Sequence, residues 1–293
     1  MFSGCGNVLT HNYFHDTPGS SLRVEGNEHR ISFNRFERCS FMSDDNGAID
    51  MGIDLTAVGN RFLFNEFYDI GYPNAHCGNA GIRLDDMFSQ QFLYGNRFVR
   101  ASSGKFGAVQ INCGRNNVID NNCVHDFAQR YTTYNAGITV DGVGIKVTHN
   151  ELYNCPHYAL FYEDGNDIMI EKNYIHDAVK NTGDMGAIYS GRRWSNYGVT
   201  IRYNVIADIA VPCGKCPLCL AGDEANCVNM GVTNGGSIEE APYLWGGYTE
   251  VNYTPLANLV KIPDELDPKT VAAFACPGPT AMHAFKVGLF LGW

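Results

Sequence analysis

Short runs of alternating apolar and polar residues fill the first two-thirds of this chain, and an asparagine interrupts each one. Val8-Leu9-Thr10-His11-Asn12-Tyr13-Phe14, Ile31-Ser32-Phe33-Asn34-Arg35-Phe36 and Phe62-Leu63-Phe64-Asn65-Glu66-Phe67 set the pattern. Later copies centre on Asn96, Asn122, Asn150, Asn173 and Asn204, with successive gaps of 22, 31, 31, 26, 28, 23 and 31 residues. A second short strand lies between most of these asparagines: Leu22-Arg23-Val24, Ile49-Asp50-Met51, Ile82-Arg83-Leu84, Val109-Gln110-Ile111, Ile138-Thr139-Val140, Leu160-Phe161-Tyr162 and Ile188-Tyr189-Ser190. A self-similar period of this length marks a solenoid. No unit carries the ten or more residues of 3.6-periodic pattern that a helical repeat needs; the segments are β-branched or aromatic and punctuated by Gly and Asn. An all-β solenoid over residues 1–208 is therefore expected, with about seven or eight turns stacked ~4.8 Å apart in parallel sheets. The recurrent asparagine is expected at a bend between sheets, where its amide bonds its own backbone, tolerates left-handed geometry and stacks turn upon turn.

In the second strand the apolar residues point inward, so the residues between them form an outward column. It reads Arg23 and Glu25, Asp50, Arg83 and Asp85, Gln110 and Asn112, Thr139 and Asp141, Phe161 and Glu163, then Tyr189. The loop Ser43-Asp44-Asp45-Asn46 ends just before the Asp50 strand and brings further carboxylates towards its rim. Carboxylates, guanidiniums, amides and aromatics in one line suit a groove for a polysaccharide or oligosaccharide. An inert, solubilising charged face is the competing reading, with Arg83 present only to relieve repulsion between acids. His11, His125, His149 and His176 lie in or beside the asparagine strands and are expected to pack or turn rather than catalyse. No Gly-x-Ser-x-Gly, P-loop or His-Glu-x-x-His occurs, so serine-hydrolase, nucleotide-phosphate and zincin chemistry have no motif support.

The charge changes the list of partners. Among 293 residues, 21 Lys and Arg stand against 31 Asp and Glu, a formal net charge of −10. Such a chain lacks the basic stripe of a nucleic-acid binder. No apolar run is long enough to span a membrane, so no membrane partner is expected either. Oligomeric state is not legible.

The solenoid region resembles the right-handed parallel β-helix (pectin-lyase-like) superfamily. Leu22-Arg23-Val24-Glu25-Gly26-Asn27, Ser43-Asp44-Asp45-Asn46-Gly47 and Gly81-Ile82-Arg83-Leu84-Asp85-Asp86 are similar to a bacterial group allied to glycoside hydrolases, with family 141 the nearest. The resemblance implies glycoside hydrolysis by two carboxyl groups, one protonating the leaving oxygen and the other attacking the sugar or activating water. Asp45 and Asp86 are the expected pair, with Asp44, Asp50 and Asp85 as rivals, and Arg23, Glu25, Arg83, Gln110 and Asn112 as substrate-binding residues. A polysaccharide lyase is the alternative chemistry. It would take a base such as Arg83 or Lys105, and Ca²⁺ held by Asp44, Asp45, Asp85 and Asp86. Relatives of this fold are typically secreted, yet the opening residues show no charged segment followed by an apolar run, so no signal peptide is expected from them.

Eleven cysteines divide unevenly. Cys5, Cys39, Cys77, Cys113, Cys123 and Cys155 are scattered and expected to be small buried hydrophobes. Cys213-x2-Cys216-x2-Cys219-x7-Cys227 has a spacing that closes a tetrahedral thiolate shell around a structural zinc ion. From about residue 209 to 293 the chain resembles the structural-zinc lobe of medium-chain zinc alcohol dehydrogenases. The likeness continues through Gly246-Gly247-Tyr248-Thr249-Glu250-Val251, Leu259-Val260-Lys261-Ile262-Pro263 and Ala272-Ala273-Phe274-Ala275-Cys276. In that family Cys276 would match a catalytic-zinc ligand, but its partner ligands and the Gly-x-Gly-x-x-Gly cofactor fingerprint have no counterpart here. No NAD and no dehydrogenase activity are expected. A β-helix joined to a truncated zinc-binding segment, without a linker of Pro or Ser, reads as a fusion.

Overall fold

The computed structural model describes residues 1–52, 54–129, 132–180 and 185–206, together with the backbone of 210–211, 217–220 and 231–232. The described residues between 1 and 206 wind into a right-handed parallel β-helix, the sense in which parallel strands are almost always connected. Three sheets run along it. The first holds Val8–Thr10, Arg30–Ser32, Arg61–Leu63, Phe92–Tyr94, Val118–Asp120, Lys146–Thr148, Met169–Glu171 and Thr200–Arg202. The second holds Tyr13–Thr17, Arg35–Cys39, Glu66–Tyr68, Arg97–Val99, Cys123–His125, Glu151–Tyr153, Tyr174–His176 and Val205–Ile206. The third is built from the second short strand of each turn: Leu22–Arg23, Asn46–Met51, Gly78–Leu84, Val109–Arg115, Ile138–Val143, Leu160–Tyr162 and Ile188–Ser190. All pairings along these three paths are parallel; the off-path strand Ser102–Gly104 adds an antiparallel edge to Gly78–Leu84.

Alternation along each short strand sends one row of side chains inward, where equivalent residues of successive turns meet. Phe14, Phe36, Phe67 and Phe98 stack at 4.8, 5.0 and 4.6 Å between ring centres with nearly parallel planes. Ile31, Phe62, Leu93, Ile119, Val147 and Ile170 form the corresponding fully buried row of the first sheet. Burying such side chains contributes roughly 1.5–3 kcal/mol each, enough to hold strands of three residues that would not persist alone.

The sharp bend between the first and second sheets is set by an asparagine ladder. Asn12, Asn34, Asn65, Asn96, Asn122, Asn150, Asn173 and Asn204 occupy one position per turn, and each Oδ1 from Asn34 onward accepts both the backbone N–H and the side-chain amide of the asparagine one turn earlier, at 2.9–3.0 Å. Each of the same amides from Asn34 onward also donates to a first-sheet carbonyl of the preceding turn, as Asn96 does to Phe62 O at 2.9 Å. The stacking expected from the sequence is present, but its chemistry differs. The bonds run chiefly between turns, and the left-handed residue is not the asparagine but its predecessor: His11, Phe33, Phe64, Gly95, Asn121, His149, Lys172 and Tyr203 all have φ between 53° and 66°. At Gly95 the reason for glycine is steric, since a Cβ there would lie 2.6 Å from the Phe64 ring.

A second, shorter ladder at the entry to the first sheet was not read from the sequence. His29, Asn60, Gln91 and Asn117 are buried there, with His29 N–H donating to Asn60 Oδ1 and Gln91 N–H to Asn117 Oδ1, both at 2.9 Å. The scattered cysteines also depart from expectation. Only Cys39 and Cys155 are buried, whereas Cys5, Cys77 and Cys113 are exposed. No helix among the described residues is long and apolar enough to cross a membrane.

Candidate active site on the third sheet

Register along the third sheet aligns the outward residues on one line. Arg23 faces Asp50, Asp50 faces Arg83, Arg83 faces Gln110, Gln110 faces Thr139, Thr139 faces Phe161 and Phe161 faces Tyr189. The alternation of strands legible in the sequence therefore places these side chains as expected. Their surroundings are not those of an open ladder. Asp50 and Arg83 are nearly buried, because the Ser43–Asn46 loop and the Phe106 ring close over them, the ring centre lying 5.1 Å from the Arg83 guanidinium carbon.

Arg83 is the hub. Its Nη1 donates to the Asp45 carbonyl at 2.8 Å, and its Nη2 donates to Asp45 Oδ1 at 2.9 Å and to Asp85 Oδ2 at 2.5 Å. Asp50 stands behind it, 3.6 Å from Arg83 Nη1 and 3.6 Å from Arg23 Nη1. Arg23 also reaches Glu25 Oε1 at 3.3 Å and the Gly52 carbonyl at 3.1 Å. Burial pushes the Asp50 carboxyl above the usual carboxylate range, and the two guanidiniums only partly offset it. Three polar atoms of this group lack hydrogen-bond partners while shielded from solvent: Asp50 Oδ1, Arg83 Nε and Gln110 Oε1.

The five candidate aspartates thus have five different situations. Asp44 is spent on the backbone, accepting N–H bonds from His76, Cys77, Gly78 and Asp45 at 2.7–3.1 Å. Burial opposes the charge, but those four donors outweigh it and hold the Asp44 carboxyl below its ordinary range. Asp45 sits exposed at the rim in a left-handed turn, φ 59°, and leans on Arg83. Asp50 is the buried counter-charge. Asp85 is held from both sides, by Arg83 on Oδ2 and by Asn112 Nδ2 on Oδ1 at 2.7 Å. Asp86 is exposed and makes no hydrogen bond or ion pair among the described residues. A methyl group at Gly52 would make ordinary contacts with Arg23 Nη2 at 3.7 Å and Asp86 Oδ2 at 3.8 Å, so both side chains border this position. The expected Asp45–Asp86 pair is therefore not joined through Arg83, whereas Asp45 and Asp85 are.

Two residues beyond each outward position runs a second line, through Glu25, Gly52, Asp85, Asn112, Asp141 and Glu163. The strand Val109–Arg115 carries a bulge between Ile111 and Gly114, so that Asn112 and Cys113 together oppose Asp141. Asp141 is half-buried, and its Oδ1 accepts the N–H groups of Glu163 at 2.8 Å and Asp164 at 3.1 Å. Burial raises its carboxyl above the ordinary range; the two N–H bonds oppose this, and the neighbouring Glu163 and Asp164 reinforce it. Farther along, Tyr158, Phe161 and Tyr189 stack in nearly parallel planes at 5.0–6.2 Å, and Arg192 Nε donates to Tyr189 Oη at 2.8 Å.

The histidines named from the sequence have packing partners. His125 and His176 sandwich Tyr153 at 4.7 Å each, His149 Nδ1 lies 2.8 Å from Asp120, and His11 stacks on Phe33. Lys105 is exposed, and both Nη atoms of Arg83 donate to Asp45 or Asp85. Among the described residues no group of three or more His, Cys, Asp or Glu side chains converges on a metal position. In particular Asp44, Asp45, Asp85 and Asp86 do not gather their oxygens around a Ca²⁺ site: a guanidinium stands between two of them and backbone amides occupy a third. Cys213, Cys216, Cys219 and Cys227 lie outside the residues whose side chains are described.

No protein-family model matches the chain. A stretch of 75 residues, 26% of the chain, is 41% identical to an alcohol dehydrogenase of Geobacillus stearothermophilus and spans 20% of that protein's length. Among solved structures the chain is similar to QnrB1, a plasmid-mediated fluoroquinolone resistance protein, with 10% identity over 65% of this chain and 92% of the other. The TM-score of that superposition is 0.16. The chain is thus a parallel β-solenoid that carries, over about a quarter of its length, a partial likeness to an alcohol dehydrogenase.

Proposed function

We propose that the outer face of the third sheet binds a saccharide and hydrolyses a glycosidic bond, with Asp85 as the carboxylate that acts at the anomeric carbon. The observation that carries this reading is the double hold on Asp85, with one oxygen on Arg83 and the other on Asn112. A carboxylate fixed in this way on an outward ladder has its direction set before substrate arrives, which is what a nucleophile or a water-activating base requires. Gln110 and the aromatic group of Phe161 and Tyr189 extend the face along the solenoid axis and offer polar and apolar contacts to a chain of sugars. The placing of the Ser43–Gly47 and Gly81–Asp86 motifs around one guanidinium supports the finer likeness to glycoside hydrolase family 141.

The test is a panel of plant and algal polysaccharides with folded protein, following reducing ends and absorbance near 235 nm together. New reducing ends without the absorbance, abolished by Asp85→Asn, are expected. Reducing ends accompanied by the absorbance would replace hydrolysis by elimination, and silence across the panel would leave a glycan-binding solenoid or a non-catalytic remnant.

For the other part of the chain we propose a structural zinc ion on Cys213, Cys216, Cys219 and Cys227, as one half of a fusion with a truncated dehydrogenase-like segment. The cysteine spacing and the 41% identity support this reading. Metal analysis of purified protein is expected to give one zinc per chain; well under one would remove the proposal.

A further inference from the structure

Hydrolysis needs a proton donor as well as Asp85, and the groups around Arg83 do not supply an obvious one. Asp45 and Asp85 both accept hydrogen bonds from the same guanidinium nitrogen, so each is already committed to Arg83. Asp44 is closed off by four backbone donors, and Asp50 lies beneath the arginines. Farther along the second line of the sheet stands another carboxyl, Asp141.

We propose that Asp141 is the proton donor of an inverting pair with Asp85, the saccharide lying along the solenoid axis across Asn112. This rests on the hydrolase reading and deepens it. Leu84 pairs with Ile111 and Ile111 with Val140, so Asp85 and Asp141 follow two paired positions on strands separated by one intervening strand. Two strand spacings of about 4.8 Å put their backbones about 9.6 Å apart, just above the 6.5–9.5 Å that separates the carboxyl groups of inverting enzymes. The bulge at Asn112 and Cys113 lies between them, and bulges are enriched beside active sites, where they redirect side chains.

The two oxygens of Asp141 are unlike each other. Oδ1 is anchored by the Glu163 and Asp164 amides, which fixes the plane of the carboxyl group. Oδ2 has no hydrogen-bond partner among the described residues, which leaves it as the oxygen from which a proton can be delivered. The charged and titratable groups that bear on Asp141 are Glu163 and Asp164 on the next turn, with Cys113 on the preceding one. Burial favours a protonated Asp141, and the neighbouring acids work in the same direction against the two N–H bonds.

In the reaction, Asp85 takes a proton from water as the water oxygen bonds to the anomeric carbon. The glycosidic C–O bond breaks on the opposite face, and Asp141 gives its proton to the departing oxygen. One water is consumed, and exchange with solvent returns Asp85 to carboxylate and Asp141 to acid.

Asp141→Asn keeps an oxygen for the two anchoring amides but cannot donate the proton. It is expected to lower kcat by about 10²- to 10⁴-fold on a natural saccharide while approaching wild-type rates on the matching dinitrophenyl glycoside, whose leaving group needs no proton. Proton NMR of the first product should show inversion at the anomeric carbon. Full activity of Asp141→Asn on the natural saccharide, with Asp85→Asn inactive, would overturn the role of Asp141 and leave the hydrolase reading standing. Retention of configuration would also overturn it and point to Asp45 and Asp85, whose oxygens on the shared nitrogen lie within about 5.4 Å, the separation of a retaining pair. A folded wild-type protein silent on every saccharide would remove the hydrolase reading, and this inference with it.

Discussion

The asparagine bend and the outer face of the third sheet are produced by the same repeat, yet they obey opposite rules. At the bend one residue type recurs eight times, and from Asn34 onward each amide is bonded to its neighbours in the turns before and after or to nearby carbonyls. On the third sheet the residue changes at each turn, from Arg23 to Asp50, Arg83, Gln110, Thr139, Phe161 and Tyr189, and three shielded polar atoms lack partners. A position whose only task is to close the chain converges on the residue that satisfies the backbone best. A face that varies from turn to turn, and tolerates unpaired atoms that cost about 1–3 kcal/mol each, is not being selected for closure alone.

The largest effect expected from breaking this contrast is at the ladder. Asn96→Ala removes an Oδ1 that accepts from Asn65 N–H and Asn65 Nδ2, and an Nδ2 that donates to Phe62 O and Asn122 Oδ1. Buried groups on both neighbouring turns lose their partners, so urea unfolding should show a loss of about 3–5 kcal/mol. A change below about 1 kcal/mol would mean that the ladder decorates the bend rather than holding it.

A smaller loss, about 1–3 kcal/mol at neutral pH, is expected for Asp44→Asn, because a neutral amide is a weaker acceptor for its four N–H donors, three from residues 76–78 and one from Asp45. The pH dependence sharpens the comparison. The folded Asp44 carboxyl lies below its unfolded value, so its contribution is complete above about pH 4 and is lost as pH falls through the folded value. The stability of wild type and Asp44→Asn should therefore converge in acid. Asp141 has the opposite sign: its folded value is raised, so its contribution is present below the unfolded value and is lost as pH rises through the folded one. Asp141→Asn should gain stability relative to wild type as pH rises above about 4, and a parallel pair of urea–pH curves would refute the burial assigned to that carboxyl.

The smallest effect belongs to the surface pair of Arg100 and Asp69 at the other bend. Nε and Oδ1 are 2.6 Å apart, but both side chains are more than two-fifths exposed. Arg100→Ala should cost no more than about 1 kcal/mol, less at high salt. A larger loss would show that ion pairs stabilise this bend as the amides stabilise the other.

Residue spacing made the stacking of turns legible. The intervals of 22, 31, 31, 26, 28, 23 and 31 residues between asparagines became the intervals bridged by their hydrogen bonds. The left-handed residue was misplaced by one position because Phe33, Phe64 and Tyr203 carry no local sign of positive φ; the amide ladder beside them compensates for the strain. His29 and Gln91 broke the pattern of the second ladder: the His29 ring nitrogen accepts from Asn7 N–H as an amide oxygen would, whereas the longer Gln91 amide keeps the donor bond to Ala57 O and leaves its Oε1 without a partner.

The sequence alone determined the period-2 alternation, the strands it implies, the row of residues on the outward side of the third sheet and the bend where amides stack. These are local properties of the chain, and a one-residue slip would expose the core. Only the tertiary structure decided what each carboxylate does. Asp44 faces backbone amides, Asp45 and Asp85 share Arg83, Asp50 is buried behind it, and Asp141 stands across a bulge. The difference arises because the path of the loops between strands decides which polar groups come within 3 Å of one another, and acidic residues identical in type acquire their chemistry from those neighbours and from burial.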